Sequence, residues 1–256
     1  MATRLVTALA RGLSILGYLE RGPRTAPEIA AGLSLPRATV HELLKTLEAD
    51  GFVQVTDGVA YGLGMRLFEL GSAVERSLDI AQIGRRHAER MAAACGETVQ
   101  VALLDGAEVV YVAKADSEHA VKLVSTVGVR LPAHLTAVGK ATLAYRPADE
   151  LDRLYPAGTP LPTLTPRSIS TTDQLREALI EAREEGVAWD DCESNPDVRC
   201  VAAPVRDRRG SAIGGISISV PTYRWDDESG SRLSALVTAG AAALSDDLGA
   251  QSIYAG

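Results

Sequence analysis

The first 20 residues place apolar and polar side chains at helical spacing. Apolar residues recur in steps of three and four positions, which predicts an amphipathic helix. Its predicted buried face consists of Val6, Leu9, Leu13, Leu16 and Leu19. Gly22 and Pro23 follow, in the order that is typical of a helix end, so this first helix stops before residue 22.

Two further helices are predicted between residues 25 and 49. Thr25-Ala26-Pro27-Glu28 has the pattern of a capping box, which begins a short second helix. Ser34 is a residue type that caps helices well, and we expect it to begin the third. Apolar residues at i, i+3, i+4 and i+7 predict the buried stripe of that helix, which is Val40, Leu43, Leu44 and Leu47.

A hairpin is predicted after the third helix. The β-rich runs Phe52–Val55 and Val59–Tyr61 flank an Asp57-Gly58 turn. Helix, turn, helix and hairpin in this order outline a winged helix-turn-helix, which lays its second helix in a DNA groove. Short polar residues allow close approach to base edges, and long basic ones reach bases or phosphates. The predicted DNA-binding residues are Thr25, Ser34, Arg37, Ala38, Thr39, His41, Glu42 and Lys45.

The charge distribution does not identify a nucleic-acid surface. The chain carries a formal net charge of −7, and residues 1 to 65 hold six basic and six acidic side chains, so all the excess acid lies beyond them. A neutral N-terminal segment on an acidic protein offers no basic patch that would mark a nucleic-acid surface. The DNA prediction therefore depends on the pattern of elements, and a winged helix can also serve as a protein-interaction module.

The spacing of apolar residues changes along residues 63 to 256, from a helical period to that of strands. An apolar stripe at helical spacing (Leu63, Leu67, Leu70, Val74, Leu78) predicts a linker helix, which packs either on a twin helix in a dimer or on the protein's own body. A helix over 80–94 precedes two strands, Thr98–Leu104 and Glu108–Lys114, joined by Asp105-Gly106.

The remaining elements complete a mixed domain. We expect a third strand at Val121–Val127, a loop over 128–134, and a helix that begins at Ala137 and runs to about Tyr145. A capped helix from Thr171, a strand at 187–191, a last hairpin and a closing helix follow. Residues 80–256 are thus predicted to form an α/β domain with a mainly antiparallel sheet.

Composition excludes several classes of protein. Hydrophobic residues make up 46% of the chain and charged residues 23%, values that are ordinary for a globular protein. No signal peptide and no run near the roughly 20 apolar residues of a membrane span are present, so no membrane partner is expected. Cys95, Cys192 and Cys200 fit neither a disulfide framework nor a two-pair zinc site. We expect a cytoplasmic protein without metal or cofactor.

Several ordered motifs resemble one family. In the first half they are residues 11–16, 38–47, 51–53 and 61–64, and in the second half residues 130–141, 190–191, 198–205 and 216–221. The second half includes the run Arg130-Leu131-Pro132-Ala133-His134-Leu135-Thr136-Ala137. Over nearly its whole length the chain resembles the IclR family of bacterial transcriptional regulators.

The resemblance implies an α+β protein in three parts: a winged helix-turn-helix domain at 1–63, a linker helix at 64–79 and a GAF-like effector-binding domain at 80–256. It implies a repressor or activator that binds pseudo-palindromic double-stranded DNA operators as a homodimer or homotetramer. It also implies control by a small-molecule effector, often an organic or aromatic acid. The family's effector-binding positions correspond to Leu123, Leu131, Ala137, Val138, Asp190, Val198, Cys200, Ser217 and Ser219.

Two positions depart from the family pattern. Glu42 stands where the family often has arginine, and an acid there repels phosphate unless the helix docks differently or the carboxylate accepts from a cytosine amino group. Cys192 follows the Asp190-Asp191 pair, where the family usually has an acid. The second departure weakens any effector assignment taken from relatives.

The effector-binding positions also have a physical interpretation. A helix capped by Thr136 offers the free amides of residues 137 to 139 to an anion. Ser217 and Ser219 share one face of their strand, and Asp190 can accept from a ligand donor. Leu123, Leu131 and Val198 supply apolar walls. The predicted ligand is a small carboxylate or acyl compound with one donor group.

Two alternatives use the cysteines. Cys200, His134 and Asp190 are the residue types of a thiol hydrolase, but the cysteine lies in an apolar run that raises the pKa of a thiol. Cys192 and Cys200 could serve a redox sensor, although their spacing fits no common metal motif. Buried Cys200 can equally be a small hydrophobe, and strand serines often satisfy only backbone or water. We expect a regulator rather than an enzyme.

Overall fold

The computed structural model describes residues 6–77, 79–117, 119 and 126–249. The chain divides after Ser77 into two compact units. The first unit has a three-stranded antiparallel sheet in the order β1-β3-β2. Its elements are α1 (Thr7–Leu19), β1 (Arg24–Thr25), α2 (Ala26–Gly32), α3 (Arg37–Ala49), β2 (Val53–Thr56), β3 (Ala60–Leu63) and α4 (Met65–Ser77).

The first unit has the predicted winged helix-turn-helix. Asp57 and Gly58 both adopt positive φ, 51° and 77°, which is the backbone of a tight hairpin turn. The two-residue strand β1 pairs with β3 and was not predicted, because two residues carry no periodicity. The core consists mainly of Ile15, Leu19, Ile29, Val40, Leu44 and Val53.

The predicted buried face of α1 is correct at Leu19, which is buried, and at Leu16, which packs against the core, but it is wrong at the other three positions. Val6, Leu9 and Leu13 are 67%, 63% and 59% exposed, whereas Ile15 and Leu19 are fully buried. The helix is apolar on more than one side, so periodicity could not decide which side meets α2 and α3. The core selects the side on which Ile15 and Leu19 lie one turn apart.

The predicted cap of α3 is also wrong. The helix begins at Arg37 with Pro36 in the cap position, and no side chain caps it. Ser34 is exposed and lies in the left-handed region with φ 53°. Proline disfavours helical backbone in the residue before it, so Leu35 cannot be helical and the helix starts after Pro36.

The second unit is built on a six-stranded antiparallel sheet in the order β6-β5-β4-β9-β8-β7. Single turns of 3-10 helix precede α6 and α9. The elements are α5 (Asp79–Cys95), β4 (Thr98–Asp105), β5 (Glu108–Ala115), β6 (Arg130–Pro132), α6 (Ala137–Leu143), α7 (Ala148–Leu154), α8 (Thr172–Glu185), β7 (Ala188–Asp191), β8 (Val198–Arg206), β9 (Ala212–Pro221) and α9 (Asp227–Asp247). The predicted α+β class and antiparallel sheet are confirmed.

The two faces of this sheet have different character. One face carries Val99, Val101, Val201, Ile216 and Ile218 and packs against α5 and α9. The other face lies under α6 and α8 and joins a second core of small apolar residues. The residues between the large apolar side chains of β4, β8 and β9 point to the α6 side.

One predicted loop is a strand. Arg130–Pro132 forms β6, an edge strand that pairs with β5 through Val109 and Leu131. Arg130 forms ion pairs with Asp105 and Glu108, two residues of the neighbouring hairpin that are distant in sequence. Of the predicted strand at 121–127, residues 121–125 lie outside the described residues, and Val127 lies in a turn. No helix within the described ranges is long and apolar enough to cross a membrane.

Candidate DNA-binding surface and effector site

The outer face of α3 presents most of the predicted DNA-binding residues. Arg37, Ala38, His41, Glu42 and Lys45 are exposed, and Thr39 is half-buried. Val40 and Leu44, both 0% exposed, anchor the opposite face of the helix in the core. Within the described part of the chain no ion pair engages Arg37 or Lys45, so both cations face solvent and can meet phosphates.

Thr25 and Ser34 have different surroundings from the helix face. The carboxylate of Glu28 accepts from the N–H of Thr25 at 2.7 Å and from its hydroxyl at 2.8 Å, which forms the predicted capping arrangement at the start of α2. These hydrogen bonds lower the pKa of Glu28. Thr25 therefore holds α2 in place, and Ser34 lies in the exposed turn between α2 and α3.

A row of polar residues crosses four strands of the second unit. Strand pairing sets Thr98 opposite Ser219, Ser219 opposite Cys200, and Cys200 opposite Asp190. Thr98, Ser219 and Asp190 are 1%, 3% and 1% exposed. Such a buried row is unusual for a sheet core, because unpaired polar groups are costly to bury. We name it the polar row.

A second row lies beside the polar row. Here Gln100 pairs with Ser217, Ser217 with Ala202, and Ala202 with Ala188. Gln100 and Ser217 are buried, so the polar character is confined to β4 and β9. As predicted, Ser217 and Ser219 share one strand face, and that face is the one under α6.

Hydrogen bonds link the polar row to Gln100. The Cys200 thiol donates to Ser219 Oγ at 3.2 Å, and the Ser219 hydroxyl donates to Gln100 Oε1 at 3.2 Å. Burial raises the pKa of Cys200, so the residue stays a thiol and can act as the first donor. The three side chains form a relay that runs from β8 through β9 to β4.

Asp190 uses much of its acceptor capacity within its own loop. Its Oδ1 accepts from the N–H of Glu193 at 2.7 Å and of Ser194 at 3.2 Å, and its Oδ2 accepts from the Ser194 hydroxyl. Burial raises the pKa of Asp190, while these hydrogen bonds and the charge of Lys140 oppose the increase. Asp190 was predicted to accept a hydrogen bond from a ligand. In the structure its carboxylate accepts hydrogen bonds from the loop after β7 and holds that loop in shape.

Lys140 and Glu193 form a buried ion pair that the sequence did not reveal. Lys140 Nζ contacts Glu193 Oε1, and the two residues are only 3% and 8% exposed. Burial raises the pKa of Glu193, and the charge of Lys140 opposes this. Glu193 Oε2 has no partner within the described residues. The available signal was a single charged residue, a lysine, inside the otherwise uncharged Ala137–Leu143.

The start of α6 lies directly on the sheet. Thr136 Oγ1 accepts from the N–H of Gly139 at 3.0 Å, which confirms the predicted cap but leaves that amide unavailable to a ligand. A Cβ on Gly139 would overlap the backbone oxygen of Ala133, and a Cβ on Gly215 would lie 2.7 Å from Val138 Cγ2. Gly215 thus lets Val138 sit close to β9, and Gly139 lets the start of α6 pack against the 3-10 turn at Ala133.

The remaining predicted effector residues are spread across the sheet. Val198 is buried on the same face as Cys200, at the start of β8. Leu131 lies on β6, at the opposite edge of the sheet from Asp190 on β7, roughly 24 Å away along five strand spacings. Leu123 lies outside the described residues. The structure therefore brings Asp190, Val198, Cys200, Ser217 and Ser219 onto neighbouring strands under α6. Leu131 is distant from Asp190, but it packs, as Cys200 does, against the core that includes Ala137 and Val138.

The groups required by the two cysteine-based alternatives are engaged elsewhere. His134 Nε2 contacts the Pro162 carbonyl oxygen at 2.9 Å and its ring packs on Tyr155, while burial lowers the pKa of His134. The Cys200 thiol donates to Ser219 instead of a histidine. Cys192 is 6% exposed, and burial raises its pKa as well. Neither a hydrolase triad nor a reactive thiolate is supported.

Comparison with known proteins agrees with this two-part organisation. Residues 8–57 match the IclR helix-turn-helix domain, and residues 72–246 match the C-terminal domain of bacterial transcriptional regulators of the IclR type. The chain is 35% identical to the HTH-type transcriptional regulator XynR of Escherichia coli K12 over 226 residues, 87% of this chain and 89% of XynR.

Two further relatives cover similar lengths. The HTH-type transcriptional repressor AllR of Klebsiella pneumoniae is 36% identical over 221 residues, 85% of this chain and 80% of AllR. The crystal structure of Thermotoga maritima IclR superposes with a TM-score of 0.77 at 30% identity, covering 94% of this chain and 98% of that one. The chain therefore belongs to the IclR family of DNA-binding transcriptional regulators, with an N-terminal helix-turn-helix domain and a C-terminal effector-binding domain.

Proposed function

We propose that the outer face of α3 reads an operator while a small molecule bound at the polar row controls DNA binding. The buried polar row supports this proposal more than any other observation. Its side chains are buried away from water, and most of the large apolar residues of the same strands, among them Val99, Ile216 and Ile218, face the other side of the sheet. Such a set of convergent polar groups beneath a helix is suited to orient a ligand.

We propose a small carboxylate or acyl compound as the effector. Lys140 supplies a buried cation near the polar row, and the hydroxyls of Ser217 and Ser219 lie beside the start of α6. Ala137 and Val138, at the start of α6, are buried against β9 beside these hydroxyls. An effector that binds one conformation better than another shifts the DNA-competent population by its differential affinity.

The DNA-binding part of the proposal concerns Thr25, Ser34, Arg37, Ala38, Thr39, His41, Glu42 and Lys45. We propose that a homodimer or homotetramer places two α3 helices on the halves of a pseudo-palindromic operator, one helical turn or a multiple of it apart. Light scattering during gel filtration measures the mass against the 27.0 kDa chain. A monomer with no association at micromolar concentration would contradict the paired arrangement.

A gel-shift assay with the intergenic DNA that flanks the gene tests the function. We expect a retarded band at low salt that weakens as salt rises, because phosphate contacts release counterions. Small organic and aromatic acids are then added to the complex, and we expect one of them to change the retarded fraction. Absence of a retarded band with every flanking fragment would refute operator binding.

A further inference from the structure

Two buried polar atoms near the β4 end of the polar row have no partner. Among the described residues, Gln100 Nε2 and Ser117 Oγ make no hydrogen bond, although the two residues are only 4% and 3% exposed. Buried polar groups are nearly always hydrogen-bonded, so each exception requires an explanation. A bound ligand supplies one, because it can provide the absent partner.

The relay determines which part of Gln100 remains for such a ligand. Its Oε1 already accepts from Ser219, and Ser219 in turn accepts from the Cys200 thiol. The thiol donates to Ser219, and Gln100 Oε1 can only accept, so the donor direction runs from Cys200 to Gln100. The side-chain amide therefore offers only N–H groups to further partners, and these groups require an acceptor atom.

Ser117 lies at the same end of the site. Its N–H donates to Thr98 Oγ1 at 3.3 Å, which places Ser117 beside the first member of the polar row. Thr98 and Gln100 are two residues apart on β4, so they share a face. The unpartnered hydroxyl of Ser117 and the unpartnered amide of Gln100 thus belong to the two neighbours of Thr98, one joined to it by a hydrogen bond and the other two residues along β4.

The β7 end of the site has the opposite requirement. There Glu193 Oε2 is buried without a partner, and it requires a donor. The polar row between Thr98 and Asp190 spans three strand spacings, roughly 14 Å. The two ends therefore differ in chemistry: N–H and hydroxyl groups at β4, and carboxylate oxygen near β7.

We propose that Gln100 is a further specificity-determining residue of the effector site, whose amide donates to an acceptor oxygen of the effector, with Ser117 as its neighbour. This inference rests on the proposed function, because it assigns a role within the same site. The preferred oxygen is that of a carboxylate or a carbonyl, since both accept hydrogen bonds from an amide. A ligand without an acceptor at this end leaves the amide unsatisfied and is rejected.

Ligand-induced thermal shifts of the full chain test the role of Gln100. The probes are acetate, pyruvate, glycerate and 4-hydroxybenzoate, which share a carboxylate and differ in size and in whether they carry further polar groups. We expect at least one of them to raise the melting temperature of the wild-type chain, because a ligand that binds the folded state stabilises it. The same titrations are then made with two variants and one control.

Gln100→Glu replaces the donor with a carboxylate of similar shape, and we expect it to abolish the shift by repelling the probe. Gln100→Met removes the donor without adding charge. It tests the same donor if the buried charge of Gln100→Glu prevents that variant from folding. We expect it to weaken binding roughly 10- to 100-fold, the loss of one hydrogen bond to a charged group. Gln82→Glu, the control, adds the same charge at an exposed position of α5. Its affinity for the probe should equal that of the wild-type chain.

Two outcomes would overturn the inference. One is wild-type affinity in folded Gln100→Met, and the other is the absence of any shift in the wild-type chain with all four probes up to about 50 mM, a range that covers millimolar dissociation constants. Gel shifts separate this failure from that of the proposed function. If an acid releases DNA equally from the wild type and Gln100→Met, the operator function stands and the role of Gln100 does not. If no DNA is bound, the thermal titrations still decide the role of Gln100.

Discussion

The Cys200 thiol donates to the Ser219 hydroxyl across two adjacent strands at 3.2 Å. The two residues are directly opposite each other in the register of β8 and β9. Because Ser219 passes its own hydrogen to Gln100, the contact fixes the direction of the whole relay. A cysteine that the sequence alone allowed as a nucleophile or redox group thus acts as a hydrogen-bond donor.

Ser219→Ala should lower both stability and effector response. The change removes the acceptor of Cys200 and the donor to Gln100 at a site that is 3% exposed, and we expect a loss of roughly 1–3 kcal/mol in the free energy of unfolding. Urea denaturation measures the loss. Ser231→Ala, at an exposed position of α9 whose side chain is not part of the relay, provides the control. Equal stability of the two variants would contradict the relay.

Arg37→Ala and Lys45→Ala should weaken operator binding without unfolding the protein. Both side chains are exposed on α3, so stability should change by less than about 0.5 kcal/mol. If each contacts a phosphate, the slope of log affinity against log salt should fall by about 1 for each change. Gel shifts over a salt series measure the slope.

Glu42→Gln tests the acidic residue on the same helix face. If Glu42 only repels the backbone, its replacement should raise the affinity for all DNA. If it accepts from a cytosine, the replacement should weaken binding to the operator more than binding to unrelated DNA. Arg209→Ala, which changes an exposed residue in the β8–β9 turn, is the control and should leave the DNA affinities and their salt dependence unchanged.

The buried Glu193 should make stability depend on pH. Burial raises its pKa in the folded state above 4.5, so the folded protein binds this proton more tightly than the unfolded chain. The sign follows from linkage: stability is greatest below the unfolded value and is lost as pH rises through the folded pKa. Glu193→Gln should therefore gain stability relative to the wild type as pH rises from about 4.5.

Urea denaturation at several pH values measures this difference. Glu184→Gln, a change at an exposed position of α8, serves as the control. A pH-independent difference between Glu193→Gln and the wild type, or a difference equal to that of the control, would contradict the buried position of Glu193.

Gly139→Ala should destabilise the second unit. The added Cβ would overlap the Ala133 backbone oxygen, so the start of α6 must shift away from the 3-10 turn that precedes it. Gly17→Ala makes the same change in α1, where a Cβ meets no atom within 4 Å, and there alanine should add up to about 1 kcal/mol of stability through its helix propensity. Thermal melts of both variants measure the contrast. A melting temperature of Gly139→Ala at or above that of Gly17→Ala would contradict the close packing.

Some parts of the fold were predictable because their causes are local. The Thr171–Gln174 capping box forms as expected, with Gln174 N–H donating to Thr171 Oγ1 at 3.2 Å. The Asp57-Gly58 turn and the β4–β5 hairpin have the expected places. In each case the interacting groups are a few residues apart, so both partners can be recognised within one short segment of the sequence.

The family motifs extended the prediction to the candidate site. They identified Ser217, Ser219, Cys200 and Asp190, which the sheet register then brought into neighbouring positions. They did not identify Gln100 or Glu193. A single glutamine between two valines does not show which long-range partner it meets.

The sequence by itself determined most of the elements and the antiparallel α+β class, because periodicity, capping and turn chemistry act over short distances, and its motifs indicated the family by resemblance. Only the tertiary structure decided which face of α1 is buried, that residues 130–132 add an edge strand, and that Asp190 serves its own loop. It also decided the contacts of Lys140 with Glu193 and of Ser219 with Gln100, which join residues 53 and 119 positions apart. Such contacts depend on how whole elements pack, and local spacing carries no information about them.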